Sequence, residues 1–352
     1  MKRTWKSKAL AALMITSAVS MSTSCSMIDD DLDDCFIDLK AEYELRLVTN
    51  ENLELARTLA DRPDIAEALR SHLSTVFTDG GRDLDLSFYV DAIRQHQQTE
   101  SMNNASTKQV SMTLPIADYQ HLALANVEGN GTVSLQDGDN ERQARLSLNT
   151  GEEKVASQHT GLFTGRRTFT GMTWGTYSYR QPLYMANSAA ALVLDPRTPR
   201  QNPFTKVEIY TTGFATSFNV TDSLYTYPDT DYSVRTEQVA LNNTDWMAYC
   251  AVSLPSREPV YPTRSREETD EPFFRYDDCG EPVWYYDCYV TMAEGNIVRT
   301  TAGIHHPLRA GQLKVLVGWI DDDKEPGSIH FKEEELSVST DLDWKEGLII
   351  KW

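Results

Sequence analysis

The sequence predicts a mainly β fold made of two tandem β-sandwich domains, with one short helix in the first domain. Three observations lead to this prediction. The chain has 352 residues, 40% of them apolar, which suffices for two domains of roughly 150 residues each. Short segments that alternate apolar and polar residues recur between turn residues along most of the chain. Helical spacing of apolar residues is clear in only one segment.

The first 24 residues have the composition of an export signal peptide. Four basic residues, of which Lys8 is the last, precede an apolar run over residues 9–21, and small residues then lead to Cys25. The run is shorter than the roughly 20 apolar residues of a transmembrane helix, and polar residues interrupt it. We therefore predict cleavage before Cys25 and acylation of that cysteine. Simple cleavage and secretion is the alternative.

Residues 25–35 are predicted to form an acidic, lipid-anchored tether. Five aspartates lie between Asp29 and Asp34, and so much like charge in a short stretch opposes folding. The whole chain has 33 Lys and Arg against 52 Asp and Glu, a formal charge of −19. Residues 1–24 contain four basic and no acidic residues, so removing them lowers this charge by four, to −23. A charge of this sign disfavours a nucleic-acid partner, because phosphate binding needs a basic surface.

The first domain is predicted to span residues 36–195. Apolar and polar residues alternate from Leu39 to Leu47, which predicts a half-buried strand. Pro63 opens a segment in which apolar residues recur at spacings of three and four as far as Phe77, which predicts the helix. Further strands are predicted over 84–90, 109–114, 121–127, 145–149 and 183–194.

The second domain is predicted to span residues 196–352. Prolines cluster between Pro196 and Pro203, which predicts the joint between the domains near residues 195–203. The stretch over residues 256–272 is rich in prolines and charged residues, which predicts a mobile surface loop. Strands are predicted over 206–210, 216–220, 246–254, 284–293, 313–320, 329–331 and 336–340.

Four further cysteines could form disulfides in an exported chain: Cys35, Cys250, Cys279 and Cys288. Cys279 and Cys288 bracket a short segment that could be a bridged hairpin, whereas Cys35 could pair with Cys250. The sequence leaves the pairing open. The spacings do not supply the two close pairs that a zinc site prefers. Disulfides or free thiols are therefore favoured over a metal.

The sequence carries no motif that predicts catalysis or a cofactor. Gly-x-Ser-x-Gly, His-Glu-x-x-His, a phosphate-binding glycine loop and a dinucleotide fingerprint are all absent from it. Asp137, Asp139 and Glu141 have the alternate spacing of a calcium loop, but the glycine and the terminal glutamate of the full motif are out of register. A solvated turn is the favoured interpretation. We predict no enzyme, no catalytic residue, no cofactor and no metal.

Aromatic residues near the end of the chain raise the question of sugar binding, because exposed rings can stack on sugars. They are Trp284, Tyr285, Tyr286, Trp319 and Trp344. Alternation places Trp284 and Tyr286 on one face of a strand, as in the core of a sandwich. Core packing is the more frequent use of such residues, and it is the interpretation we favour.

Several features follow one another in a characteristic order: the export segment, Cys25, the acidic stretch, and Asp33-Asp34-Cys35 leading into an alternating strand. Residues 114–119, Leu-Pro-Ile-Ala-Asp-Tyr, precede another predicted strand, and residues 342–347 read Leu-Asp-Trp-Lys-Glu-Gly. Together these features resemble the Bacteroidota fimbrial anchor family, the fimbrillin-like lipoproteins of type V pili. The sequence departs from that family at Phe36, where a proline often follows the second cysteine.

The resemblance implies two transthyretin-like β-sandwich domains in tandem. It also implies a lipid-anchored fimbrial subunit on the outer face of the outer membrane, with other fimbrial subunits as partners. Shaft subunits of such pili lose their first strand by proteolysis after Arg or Lys, whereas an anchor keeps it, and Lys40 and Arg46 lie on the polar face of the first predicted strand. Two alternatives stay open: a surface glycan-binding lipoprotein, and a cleavable shaft or tip subunit.

Overall fold

The computed structural model describes residues 38–48, 53–77, 80–149, 153–229, 232–259, 280–332 and 337–341. Within these ranges the chain is mainly β, with twenty-two strands in four sheets and two α-helices. Neither helix has both the length and the apolar character that crossing a membrane requires. The predicted signal peptide and tether, with Cys25 and Cys35, lie outside the described residues, as do Cys279 and Trp344.

The elements of the first half of the chain follow one another in this order: β1 Asp38–Val48, α1 Leu53–Thr58, α2 Pro63–His72, β2 Gly81–Val90, β3 Ile93–Ala105, β4 Thr107–Pro115, β5 Tyr119–Ala125, β6 Val133–Gln136, β7 Arg145–Leu148, β8 Lys154–Ala156, β9 Phe163–Phe169, β10 Gly175–Met185 and β11 Ser188–Asp195. A 3₁₀ turn over Leu73–Thr75 extends α2.

The second half contains strands alone within the described ranges: β12 Phe204–Thr212, β13 Ser217–Asn219, β14 Leu224–Thr226, β15 Ser233–Arg235, β16 Glu237–Val239, β17 Met247–Ser253, β18 Trp284–Met292, β19 Ile297–Ile304, β20 Leu313–Ile320, β21 Ile329–Phe331 and β22 Ser337–Asp341. The mainly β prediction is confirmed.

Sheet 1 has seven strands in the order β3-β2-β5-β9-β10-β1-β4. Its two edge strands, β3 and β4, are separated in the chain by Ser106 alone. The sheet must therefore curl until its edges meet at this residue, and the amide of Leu47 on β1 donates a hydrogen bond of 3.0 Å to the Ser106 carbonyl. The concave side of the curl is apolar, and its members from β1 and β2 include Leu45, Leu86 and Phe88, all fully buried.

The other three sheets complete the fold. Sheet 2 is β14-β13-β7-β6, sheet 3 is β16-β17-β11-β20-β21, and sheet 4 is β22-β19-β18-β12-β15-β8. Sheet 2 packs on the convex side of sheet 1, where Tyr89 and Leu124 meet Phe218. Sheets 3 and 4 enclose a second core between them that includes Leu192 and Trp284.

The helices connect sheet 1 with sheet 3. Pro63 stands at the first position of α2, where a missing amide hydrogen costs nothing, and the apolar face of the helix buries Ile65 and Leu69. This face belongs to the same core as the concave side of sheet 1 and one face of sheet 3, which contributes Ala191 and Val315. Because the other face of β11 packs toward sheet 4, every residue of β11 before Asp195 is buried.

Three elements differ from the sequence-based expectations. There are two helices instead of one, because α1 is only six residues long and too short for a periodic signal. The single strand predicted over residues 183–194 is two strands, which a turn at Ala186 and Asn187 sends into different sheets. β11 lies before the predicted boundary at residues 195 and 196, but it pairs with β17 and β20, which follow that boundary.

Candidate functional site

The strand that follows the predicted tether, β1, lies in the interior of sheet 1. It pairs in parallel with β10, from Leu39 opposite Gly175 to Val48 opposite Tyr184. On its other side it pairs antiparallel with β4, from Asp38 to Arg46. Both backbone edges of β1 are therefore occupied by ladder hydrogen bonds over nearly its whole length.

The inward face of β1 confirms the predicted alternation. Leu39, Ala41, Tyr43, Leu45 and Leu47 are each at most 2% exposed. Burying a leucine or tyrosine side chain of this kind contributes about 1.5–3 kcal/mol relative to leaving it in water. The strand is thus held by its side chains as well as by its backbone.

Tyr43 is the centre of an aromatic cluster on the concave side of sheet 1. Its ring centroid lies 5.3 Å from that of His121, 5.6 Å from Tyr179, and 6.1 Å from both Phe88 and Phe169. These rings come from five different strands, so the cluster joins β1 to β2, β5, β9 and β10. Edge-to-face and tilted aromatic pairs each contribute about 0.5–1.5 kcal/mol beyond the area that they bury.

His121 is a buried histidine within this aromatic cluster. It is 1% exposed and stacks on Phe88 at 4.3 Å between ring centroids. Its Nδ1 lies 3.1 Å from the Ser87 carbonyl oxygen, which assigns the ring proton to Nδ1, while Nε2 has no hydrogen-bond partner among the described residues. Burial, and secondarily the Arg167 guanidinium, lowers the pKa of His121 to about 4. The ring is therefore neutral at physiological pH.

The outward face of β1 is polar, also as predicted. Lys40 contacts Glu42 at 3.0 Å and lowers the pKa of that carboxyl group. Glu44 lies 3.7 Å from Arg180 on β10. The side chain of Arg46 is exposed, but its backbone is paired on both sides, with Pro182 of β10 and Thr107 of β4.

Of the five cysteines, the structure describes Cys250 and Cys288. Neither forms a disulfide within the described ranges, and both are at most 1% exposed, on β17 and β18 respectively. Burial raises the pKa of each thiol above its usual value. The two pairings considered from the sequence involve Cys35 and Cys279, which lie outside the described residues, and they remain predictions.

The aromatic residues that could have formed a sugar platform are mainly core residues. Trp284 and Tyr286 are fully buried between sheets 3 and 4, and the Trp284 indole N–H donates to the His306 carbonyl at 2.9 Å. Trp319 is half-buried, with the Arg197 guanidinium 4.7 Å from its ring centroid. The core-packing interpretation is confirmed for Trp284 and Tyr286.

The acidic turn that resembled a calcium loop is held by arginines. Asp137 lies 2.8 Å from Arg145, and Asp139 contacts Arg94. Across the described ranges, no group of three or more His, Cys, Asp or Glu side chains is arranged to hold a metal ion. The carboxylates of this turn thus act in ion pairs between neighbouring elements.

No protein-family model matches the chain, and no curated protein matches it either. It is similar to several solved structures. A candidate adhesin from Bacteroides ovatus has a TM-score of 0.48 at 11% identity, covering 84% of this chain and 94% of that one. The fimbrial anchor protein Mfa2 from Porphyromonas gingivalis has a TM-score of 0.44 at 9% identity, covering 85% and 97%. The tip fimbrial protein Mfa3 from the same organism, truncated at its C-terminus, has a TM-score of 0.41 at 12% identity, covering 87% and 100%. The similar structures thus include fimbrial proteins, the class that the sequence motifs resemble.

Proposed function

We propose that this protein is a non-enzymatic, lipid-anchored subunit of fimbriae on the outer face of the outer membrane. Acylation at Cys25 holds it there, and residues 25–35 form the tether. The folded chain is two transthyretin-like β-sandwich units in tandem, and β11, which pairs with β17 and β20, belongs to the second of them. Its role is the anchor that attaches the fimbrial shaft to the cell surface by accepting a strand of the next subunit.

The observation that supports this proposal best is the interior position of β1. A pulling force on the tether acts along β1, because the tether enters at its first residue. Ladder hydrogen bonds to β10 and β4 run perpendicular to that direction. They are loaded together rather than one after another, which is the arrangement that a load-bearing anchor requires.

The fate of β1 also separates an anchor from a shaft subunit. Cleavage after Arg46 would detach nearly all of β1 from the rest of the chain, and with it the lipid. The bond after Arg46 lies in backbone that is paired with both neighbours, so a protease could bind it only after sheet 1 had opened. The folded protein is thereby suited to keeping its first strand.

The free edge of β4 is a suitable place for strand addition. β4 is the last strand of sheet 1, so its second edge has no ladder partner among the described strands. Its Val110, Met112 and Leu114 face the core, whereas Gln109 and Ser111 face solvent. An incoming strand with the same alternation would extend the sheet through main-chain hydrogen bonds.

Removal of the protein from cells tests the proposal. We expect fimbriae to be shed into the medium or altered in length, as seen by electron microscopy of the cells and of the medium. A chain with Cys25→Ala is the matched variant, because it should fold normally but lose incorporation of labelled palmitate. Fimbriae unchanged in attachment and length after deletion would overturn the anchor role.

The N-terminal residue of the protein recovered from cells distinguishes the anchor role from the shaft or tip role. A protein that begins at the acylated Cys25 supports the anchor. A protein that begins at Leu47 would mean cleavage after Arg46 and would support a shaft or tip role. The glycan-binding alternative draws no support from Trp284 or Tyr286, because both are in the core.

A further inference from the structure

Large apolar side chains are exposed at five positions in the described part of the chain, and three of these positions belong to one end of sheet 1. The three are Trp174 at 76% exposure, Ile93 at 54% and Ile116 at 38%. Tyr184 and Leu224, the other two, lie elsewhere on the surface. Trp174 is the most exposed of the five, although it is the residue type that gains most from leaving water.

Trp174 and Ile116 lie in two loops that are fixed to each other, which we call the entry tip: residues 116–118 between β4 and β5, and residues 170–174 between β9 and β10. The Asp118 carboxylate accepts a hydrogen bond of 2.7 Å from the amide of Gly171. The Tyr177 hydroxyl accepts one of 3.1 Å from the amide of Thr173. These hydrogen bonds fix the loops that carry the exposed side chains of Trp174 and Ile116.

The entry tip is also the place where the chain enters the fold. Asp38, the first residue of β1, pairs with Pro115, and Leu39 pairs with Gly175. Cys25 lies 13 residues before Asp38. A fully extended chain of 13 residues spans at most about 45 Å. A lipid on Cys25 would thus hold the entry tip within about 45 Å of the membrane, so that it can reach the surface.

We propose that the entry tip rests on the outer surface of the outer membrane, with the Trp174 ring at the level of the lipid headgroups and Ile116 beside it. This inference rests on the proposed lipid anchor at Cys25. Tryptophan is enriched at membrane–water interfaces, because its ring is apolar and its N–H is polar. The entry tip contains no Lys or Arg, and its charged residue, Asp118, accepts a hydrogen bond from the Gly171 amide, so apolar side chains and not basic ones make the contact.

Quenching of tryptophan fluorescence by brominated lipids tests this inference on the full lipidated chain. The protein is reconstituted into vesicles of phosphatidylethanolamine and lipopolysaccharide in which the phosphatidylethanolamine acyl chains carry bromine. We expect quenching of the wild-type protein, and we expect Trp174→Phe to lose most of it. Trp319→Phe is the matched control, because Trp319 lies on β20 with Arg197 against its ring. That variant should retain the quenching.

The outcomes separate this inference from the anchor proposal. Flotation with the vesicles reports the lipid anchor, and quenching reports the entry tip. If the protein floats but Trp174→Phe is quenched as much as the wild type, the entry tip does not touch the membrane and the inference is refuted. If the wild-type protein is not quenched but Trp174→Ala weakens its binding to other fimbrial subunits, the surface is a protein interface and the inference is refuted as well. A wild-type protein that does not float would instead refute the anchor.

Discussion

The buried histidine of the aromatic cluster makes the stability of this protein depend on pH. The folded state lowers the pKa of His121 to about 4 from an ordinary value of 6.5. Between these two values the unfolded chain binds a proton that the folded chain does not, so the free energy of unfolding falls as the pH falls. The stability that depends on neutral His121 is complete above pH 6.5 and is lost as the pH drops toward 4.

The magnitude follows from the pKa difference. One pKa unit corresponds to about 1.4 kcal/mol, so His121 alone lowers the free energy of unfolding by about 2 kcal/mol at pH 5 and by about 3 kcal/mol at pH 4. His121→Phe removes the titrating group and keeps an aromatic ring of similar shape against Phe88. We therefore expect the variant to have a flatter dependence of stability on pH over this range.

Urea unfolding at pH 7.5, 5 and 4 measures this difference, with the transition followed by circular dichroism. His96→Gln is the control, because it changes a half-buried histidine on the edge strand β3, outside the cluster of rings around Tyr43. Acidic groups elsewhere contribute equally to all three proteins, so the comparison isolates His121. If His121→Phe and the wild type lose the same stability between pH 7.5 and 4, the reasoning is wrong.

Three further predictions concern β1 and the free thiols. Leu45→Ala, at a fully buried position of β1, should lower the free energy of unfolding in urea by about 2–5 kcal/mol, whereas Lys40→Ala on the exposed face should change it by less than about 1 kcal/mol. An arginine-specific protease should leave the bond after Arg46 intact in the native protein and cut it after denaturation, as read by mass spectrometry, because both edges of β1 are paired. Cys250 and Cys288 should resist iodoacetamide at pH 8 in the native protein, because burial raises the pKa of both thiols, and they should react in urea; rapid native labelling would contradict their burial.

The parts of the fold that the sequence predicted include strands with one face buried and the other exposed to water. β1 is such a strand, and the alternation from Leu39 to Leu47 matches its burial residue by residue. β3 was not predicted, because its sequence is polar on both faces and it pairs on one side only, with β2. Edge strands of this kind carry no hydrophobic period, so a pattern search cannot find them.

The candidate site was predictable only in part, for a related reason. Tyr43 occupies an inward position of an alternating segment and His121 lies in a predicted strand, but the sequence could not indicate that the two rings meet, since 78 positions separate them. The break at Asn187 was hidden as well, because apolar residues continue on both sides of it. The Asn187 side chain holds the turn: its amide donates to the Thr160 carbonyl and its oxygen accepts from the Leu162 amide. Such tertiary hydrogen bonds have no local signal in sequence.

The direction of β1 determines how the folded chain would stand on a membrane. β1 begins at the entry tip and runs toward Val48, after which α1 and α2 pack on sheet 3. Lys314 of β20 lies 4.0 Å from Glu54 of α1, and Arg62 at the start of α2 has its guanidinium 4.4 Å from the ring centroid of Trp246. Sheets 3 and 4 therefore lie beyond the end of β1 that is opposite the tether. With the entry tip on the lipid, as proposed above, the second β unit would point away from the cell.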